Sequence, residues 1–179
     1  MVLMIEVEVP DICRPEIEYT INCLLKDFLG LEYTLTHVSK QSDFIFKIKD
    51  HSLIINNHFF HTDDIFQLYA DEKIPSRINS GEIVVAEVPY KISSLYGKLN
   101  YQKENDNKQV VLDADIISAT FFMLSRWEEW VNPKRDLHGR FDGKEALAVR
   151  LDFFHRPIVN EYVELFYELL KSIGLKQER

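Results

Sequence analysis

Cysteine is nearly absent. Only Cys13 and Cys23 occur in the 179 residues, too few and wrongly spaced for a zinc site or a disulfide scaffold. Cys23 sits in a helical pattern beside Leu24 and reads as a small core residue. No apolar run approaches the ~20 residues that span a bilayer, so no membrane span is expected. The first ten residues lack the basic flank and small-residue cleavage site of a signal peptide, and a cytoplasmic location is expected. Positive charge is scarce. The net charge of −8 opposes phosphate backbones and anionic lipid, so neither nucleic acid nor a membrane surface is an expected partner. Glycine is sparse: Gly30 and Tyr96-Gly97 stand alone and form no phosphate loop. Internal repeats and low-complexity tracts are missing too.

What is present suits a globular domain. A hydrophobic fraction of 46% against 28% charged residues supplies a core without help from disulfides. A chain of this length buries roughly 70% of its unfolded surface. The 12 Phe, 8 Tyr and 2 Trp are mostly expected inside, because nothing else could absorb them.

Periodicity predicts the elements. Residues 1–9 read as a strand, with Val2, Ile5, Val7 and Val9 on pleated surface and Pro10 stopping it. A helix starts near Pro15, carries Glu16 and Glu18 at its positive end, places Ile17, Ile21, Leu24 and Phe28 on one face, and ends at Gly30. Strands are expected over 32–38 and 43–49, the second with Phe44, Phe46 and Ile48 inward. Residues 52–55 and 58–60 flank Asn56-Asn57, a pair suited to a hairpin turn. Thr62 is expected to cap a short helix with Asp63 and Asp64 in its first turn. Residues 75–81 read as a loop, 82–88 as a strand, and the polar stretch 98–108 as an exposed loop or hairpin tip.

The last third is helical. Asp113 or Asp115 caps a long buried helix near 113–131, and Pro133 forbids its continuation. A final helix spans about 157–173, with Ile158, Tyr162, Phe166, Leu169 and Ile173 buried. The expected fold class is α/β, with α+β possible: a mixed sheet packed with at least three helices. Residues 1–111 are mainly strands with one helix, 112–179 a helical region, together one domain. The end of the chain five residues after Gly174 suits a fragment of something longer, or a domain whose partner follows.

Three polar groupings stand out. In Ser125-Arg126-Trp127-Glu128-Glu129-Trp130, two glutamates near a helix C-terminus oppose the dipole, while Arg126 can pair with Glu129 three residues on. Lys134, Arg135 and Arg140 follow closely. The plain reading is a salt-bridge network fastening the next loop to the helix; the functional one is a polar pocket beside two indoles, suited to sugars or a docking partner. In Asp136-Leu137-His138-Gly139-Arg140, a histidine lies among carboxylates. An ordered turn is the plain reading, and an acid/base pair of His138 with Asp136 or Glu129 the functional one. His58, His61, Asp63 and Asp64 give a metal-like string, but on a strand positions 58 and 61 face opposite sides. Neither metal nor cofactor is therefore expected.

The residues from Leu112 to Trp130, through Phe121-Phe122, Leu124-Ser125-Arg126 and Glu128-Glu129-Trp130, resemble the "D…FF-L-SR-[YW]-EE-[YW]" signature of a bacterial domain of unknown function. That domain precedes the catalytic domain in proteins of the polysaccharide deacetylase type. Asp136-Leu137-His138-Gly139-Arg140-Phe141 is similar to its "D-x-H-G-R-F", and Arg156-Pro157-Ile158-Val159-Asn160-Glu161 to its "RP-V-[DN]-[EW]". The likeness covers 112–173; residues 1–111 share only the order of elements. It implies an accessory domain whose partners are a C-terminal catalytic deacetylase domain or carbohydrate. Arg126, Trp127, Glu128, Glu129, Trp130, Asp136, His138 and Arg140 are the candidate contact residues. The family's metal-dependent half uses an Asp-Asp motif and a histidine pair. Thr62-Asp63-Asp64 matches the former only superficially and no such histidine pair follows, so the resemblance carries over no catalytic residue. Two readings stay open beside it: a stand-alone hydrolase using Glu129, Asp136 and His138, and a pure interaction or oligomerisation domain.

Overall fold

The computed structural model describes residues 4–62, 64, 67–68, 74–106 and 108–176. Its frame is a six-stranded mixed sheet in the order β2-β1-β3-β4-β8-β7. The strands are β1 (Ile5–Pro10), β2 (Tyr33–Val38), β3 (Phe44–Ile48), β4 (His51–Ile55), β7 (Tyr101–Glu104) and β8 (Gln109–Leu112). β1 runs parallel to β2 and β4 to β8, while the other neighbours are antiparallel.

Register explains which face is covered. Leu35, Val7, Phe46, Leu53 and Val110 are successive partners across the sheet, and all but Leu35 are buried. The next row, Glu8 against Ile45 and Glu6 against Lys47, points the other way, where Lys47 and Glu8 form an ion pair at 2.5 Å. Alternation along β1 and β3 therefore marks a sheet with one apolar face. The helices α1 (Arg14–Asn22), α2 (Ile116–Ser125) and α5 (Ile158–Ser172) supply its cover, α2 touching both of the others. Phe166 of α5 meets Phe46 edge-on at 4.9 Å. The expected class, a mixed sheet with at least three helices, is what the chain adopts.

Several local expectations hold. Gly30 has φ 65° and its N–H bonds Lys26 O at 3.0 Å, ending the first helix as read. That helix widens into a π-turn over Cys23–Phe28, and Phe28 is 39% exposed rather than core. Asp115 is the cap of α2, accepting from Ser118 N at 2.8 Å. The Thr62 hydroxyl accepts from Asp64 N at 3.1 Å; the short helix expected after it, with Asp63, lies mostly outside the described residues.

Others are corrected. Asn56-Asn57 turns no hairpin; the β3–β4 turn is at Lys49-Asp50, with Lys49 at φ 57°. Asn57 Oδ1 instead accepts from the N–H groups of Phe59 and Phe60, folding both rings into the core. The expected loop at 75–81 and strand at 82–88 are two paired strands, β5 (Asn79–Val85) and β6 (Val88–Ser94). Their turn, Ala86-Glu87, has φ 49° and 70° without a glycine or asparagine to advertise it. Replacing Ala86-Glu87 by Asn-Gly is expected to relieve about 1 kcal/mol or more of left-handed strain. Thermal unfolding would read this as a midpoint several degrees higher, and an unchanged midpoint would contradict it.

The 113–131 helix divides. α2 ends at Ser125, Arg126 takes φ 54° and ψ 42°, and a short α3 (Trp127–Val131) restarts. Past it come α4 (Leu147–Arg150) and then α5. Ahead of α2, Asp113 and Asp115 clasp two other segments, one at His58 and one at Lys98. Asp113 accepts from Lys98 N at 2.9 Å and contacts His58 Nε2 at 2.8 Å, and Asp115 accepts from His58 N at 2.7 Å.

Burial pushes the wholly buried Asp115 carboxyl up to about 6, against the downward pull of the His58 and Ser118 hydrogen bonds. Between pH ~4 and ~6 the folded state then holds more protons than the unfolded chain. Its contribution to stability is full below the ordinary aspartate value and is lost as pH rises through about 6. Asp115→Asn keeps a cap oxygen and removes this titration. The stability of the native chain relative to Asp115→Asn is expected to fall by about 2–3 kcal/mol from pH 4 to pH 7. Urea unfolding at several pH values would check this, and a flat difference would contradict it.

Candidate functional site

The site grows from the break at Arg126. A non-glycine residue in the left-handed region costs about 1 kcal/mol, so the surroundings must hold it there. The break turns the two indoles apart. Trp127 is 2% exposed, its ring 5.5 Å from Phe59 and 5.6 Å from Phe121. Trp130, three residues on, is 72% exposed. Trp127 is thus a core residue, and Trp130 carries the surface aromatic. Because the helix restarts, Glu128 and Glu129 occupy the first turn of α3, the favourable end, and not the C-terminus of one long helix.

The two glutamates also part company. Glu128 Oε2 turns inward and accepts from Leu147 N at 2.6 Å, fixing the start of α4. Burial raises its carboxyl above the ordinary value, partly offset by that N–H. Glu129 faces outward and pairs with Arg126.

The following loop is held to the end of α3 mainly by one guanidinium. Arg135 donates to the carbonyls of Glu129 (2.9 Å), Asn132 (2.7 Å) and Lys134 (2.8 Å), and its cation lies 5.9 Å from the Phe141 ring. Arg135 and Phe141 also form a β-bridge, and Asp136 N bonds Arg140 O at 2.7 Å. Inside this small hairpin Asp136 is the hub. Its Oδ1 accepts from His138 N and Arg140 N, and its Oδ2 from the Arg140 guanidinium at 2.9 Å. The Arg140 N–H foremost, with the His138 N–H and the guanidinium, holds this carboxyl below its usual value. Lys134 pairs with Glu145 at 3.0 Å.

The outcome is a fixed polar corner. Arg126, Glu129, Asp136, Arg140 and Phe141 line a concavity of about 640 Å³. Trp130, Ser125, Arg135 and Gly139 extend it into an adjoining hollow of about 450 Å³ that shares Arg126, Glu129 and Phe141. Of the eight candidate residues, Arg126, Glu129, Trp130, Asp136 and Arg140 converge there. Trp127 and Glu128 support it from inside. The His138 ring is exposed at the tip, and it lines neither hollow. Arg135 and Phe141 escaped the sequence reading as site residues, although the spacing of one cation and one ring around a tight turn was visible.

Elsewhere, His58 and His61 bind Asp113 and the Phe59 carbonyl respectively. Among the described residues no group of three or more His, Cys, Asp or Glu is placed to hold a metal, and no helix is long and apolar enough to cross a membrane. Arg156, in the third signature segment, is bound to Glu161 at the start of α5, far along the chain from the corner.

A one-faced mixed sheet under three helices, with an ion-paired aromatic corner, describes the class of domain. The chain belongs to a family of unknown function, DUF7033, whose model matches residues 5–174. Neither the curated proteins nor the solved structures contain a match.

Proposed function

We propose that this chain is a non-catalytic accessory domain of a polysaccharide-deacetylase-type protein, and that its corner binds carbohydrate. The observation that carries the reading is the exposed Trp130 indole beside two arginine–carboxylate pairs, Arg126–Glu129 and Arg140–Asp136. An open indole face stacks on the apolar face of a sugar ring, and fixed planar forks meet its hydroxyls. The resemblance of 112–173 to a domain that precedes such catalytic domains supports the setting. Binding is favoured over hydrolysis here because both Asp136 oxygens hold the turn and the His138 ring lies outside the hollows. A general base needs a free lone pair facing the substrate.

Calorimetric titration with N-acetylglucosamine and xylose oligomers, and with a separately produced deacetylase domain, tests the proposal. The expected result is millimolar-range or tighter glycan binding, weakened about tenfold by Trp130→Ala. Absence of glycan binding overturns the carbohydrate reading; binding of the catalytic domain alone would make the corner a protein-docking surface instead.

A further inference from the structure

A second concave site lies between the β5–β6 ribbon and the start of α5. It encloses about 690 Å³ and shares no lining residue with the corner. The half-buried Arg156 is part of its lining. Glu161 holds one edge of the guanidinium, through Nε at 3.0 Å and Nη2 at 2.5 Å, and Ser93 Oγ takes a further bond from Nη1. Ser93 is itself fully buried and bonded to Ser80 Oγ at 2.7 Å, while Tyr162 donates to the Ser93 carbonyl at 2.6 Å. Groups from β5, β6 and α5 thus fix the orientation of one arginine whose side chain remains 27% exposed.

Three of the five N–H donors of an arginine are used in these bonds, leaving one on each Nη. Lys91, on the wall, forms no ion pair among the described residues. Among the described residues, the one carboxylate in the lining besides the spent Glu161 is Glu82, an exposed residue opposite Lys91 in cross-strand register. Unused N–H donors of Arg156 and the Lys91 ammonium therefore lie on the same face of the ribbon as Ser80 and Ser93. We infer that this cleft binds a small organic ligand through a single carboxylate group, seated between Arg156 and Lys91. Glu82, directly across the ribbon from Lys91, repels a second negative charge, so a monoanion fits better than a phosphate dianion.

Titration of the whole ¹⁵N-labelled chain with glucuronate, acetate, glucose and inorganic phosphate tests this. Saturable shifts of the Gly81 and Ile92 amides are expected with glucuronate and acetate, and much smaller ones with glucose and phosphate. Tighter binding of glucuronate than of acetate would mean that the ligand is a sugar acid; equal binding would mean that the carboxylate alone is read. Lys91→Ala, at an exposed residue with no ion pair among the described residues, is expected to keep the fold and weaken binding about tenfold. Arg156→Lys keeps the charge but loses the fork, and is expected to weaken it further. Equal shifts with glucose, no shifts at either amide, or unchanged affinity in Lys91→Ala would overturn the inference. None of these results bears on the corner, because the two sites share no residue.

Discussion

Gly97→Ala is expected to abolish the folded state or to cost more than about 4 kcal/mol, a large part of a typical domain's stability. Gly97 has φ 73°, and a Cβ there would stand 2.0 Å from Asp113 O and 2.9 Å from His58 Cδ2. The carbonyl cannot yield cheaply. Asp113 N is bonded to Asn100 O, Asp115 N to Tyr96 O, and the Asp113 carboxylate to Lys98 N and His58. An added methyl would therefore push apart the clasp that joins the His58 and 96–100 segments to the start of α2. Gly139→Ala is the matched control: φ is 75°, but nothing lies within 4 Å of the new Cβ, so only about 1 kcal/mol of backbone strain is expected. Urea unfolding of both variants makes the comparison. Near-equal stabilities of the two would contradict the account of the clasp.

The second large effect separates the two tryptophans. Trp127→Ala removes a buried indole packed on Phe59 and Phe121, and is expected to cost about 3–5 kcal/mol. Trp130→Ala removes an exposed one and is expected to change stability by no more than about 0.5 kcal/mol. Only the latter should alter glycan affinity while leaving the unfolding midpoint in place. Equal destabilisation by both variants would mean that the break at Arg126 does not divide core from surface.

The break also shows where sequence reading stops. Elements with strong periodicity were legible: the alternation in Phe44, Phe46 and Ile48, and the stripe Ile158, Tyr162, Phe166, Leu169 and Ile173, correspond to buried faces. Apolar spacing from Ile116 to Trp130 is equally consistent with one helix, because a left-handed arginine costs about 1 kcal/mol and leaves no mark on the pattern. Tertiary contacts of Trp127 with Phe59 and Phe121 overrule that local preference. The Ala86-Glu87 turn was hidden for the same reason, since its residues lack the usual tolerance of positive φ. Asn57 misled in the opposite direction: a good turn residue is used for its side-chain oxygen, not its backbone. Within the corner, the Arg126–Glu129 pair was readable from i,i+3 spacing. The inward use of Glu128 was not, because its partner, the Leu147 N–H, is 19 residues away.

The most direct test of the corner as a carbohydrate-binding surface is a titration of the chain with N-acetylglucosamine oligomers followed at the two indole N–H resonances. The account predicts a saturable shift of the Trp130 signal, accompanied by shifts of the Gly139 and Arg140 amides, with the Trp127 signal fixed. A Trp130 signal that stays still at saturating glycan, or moves no more than that of buried Trp127, would contradict it.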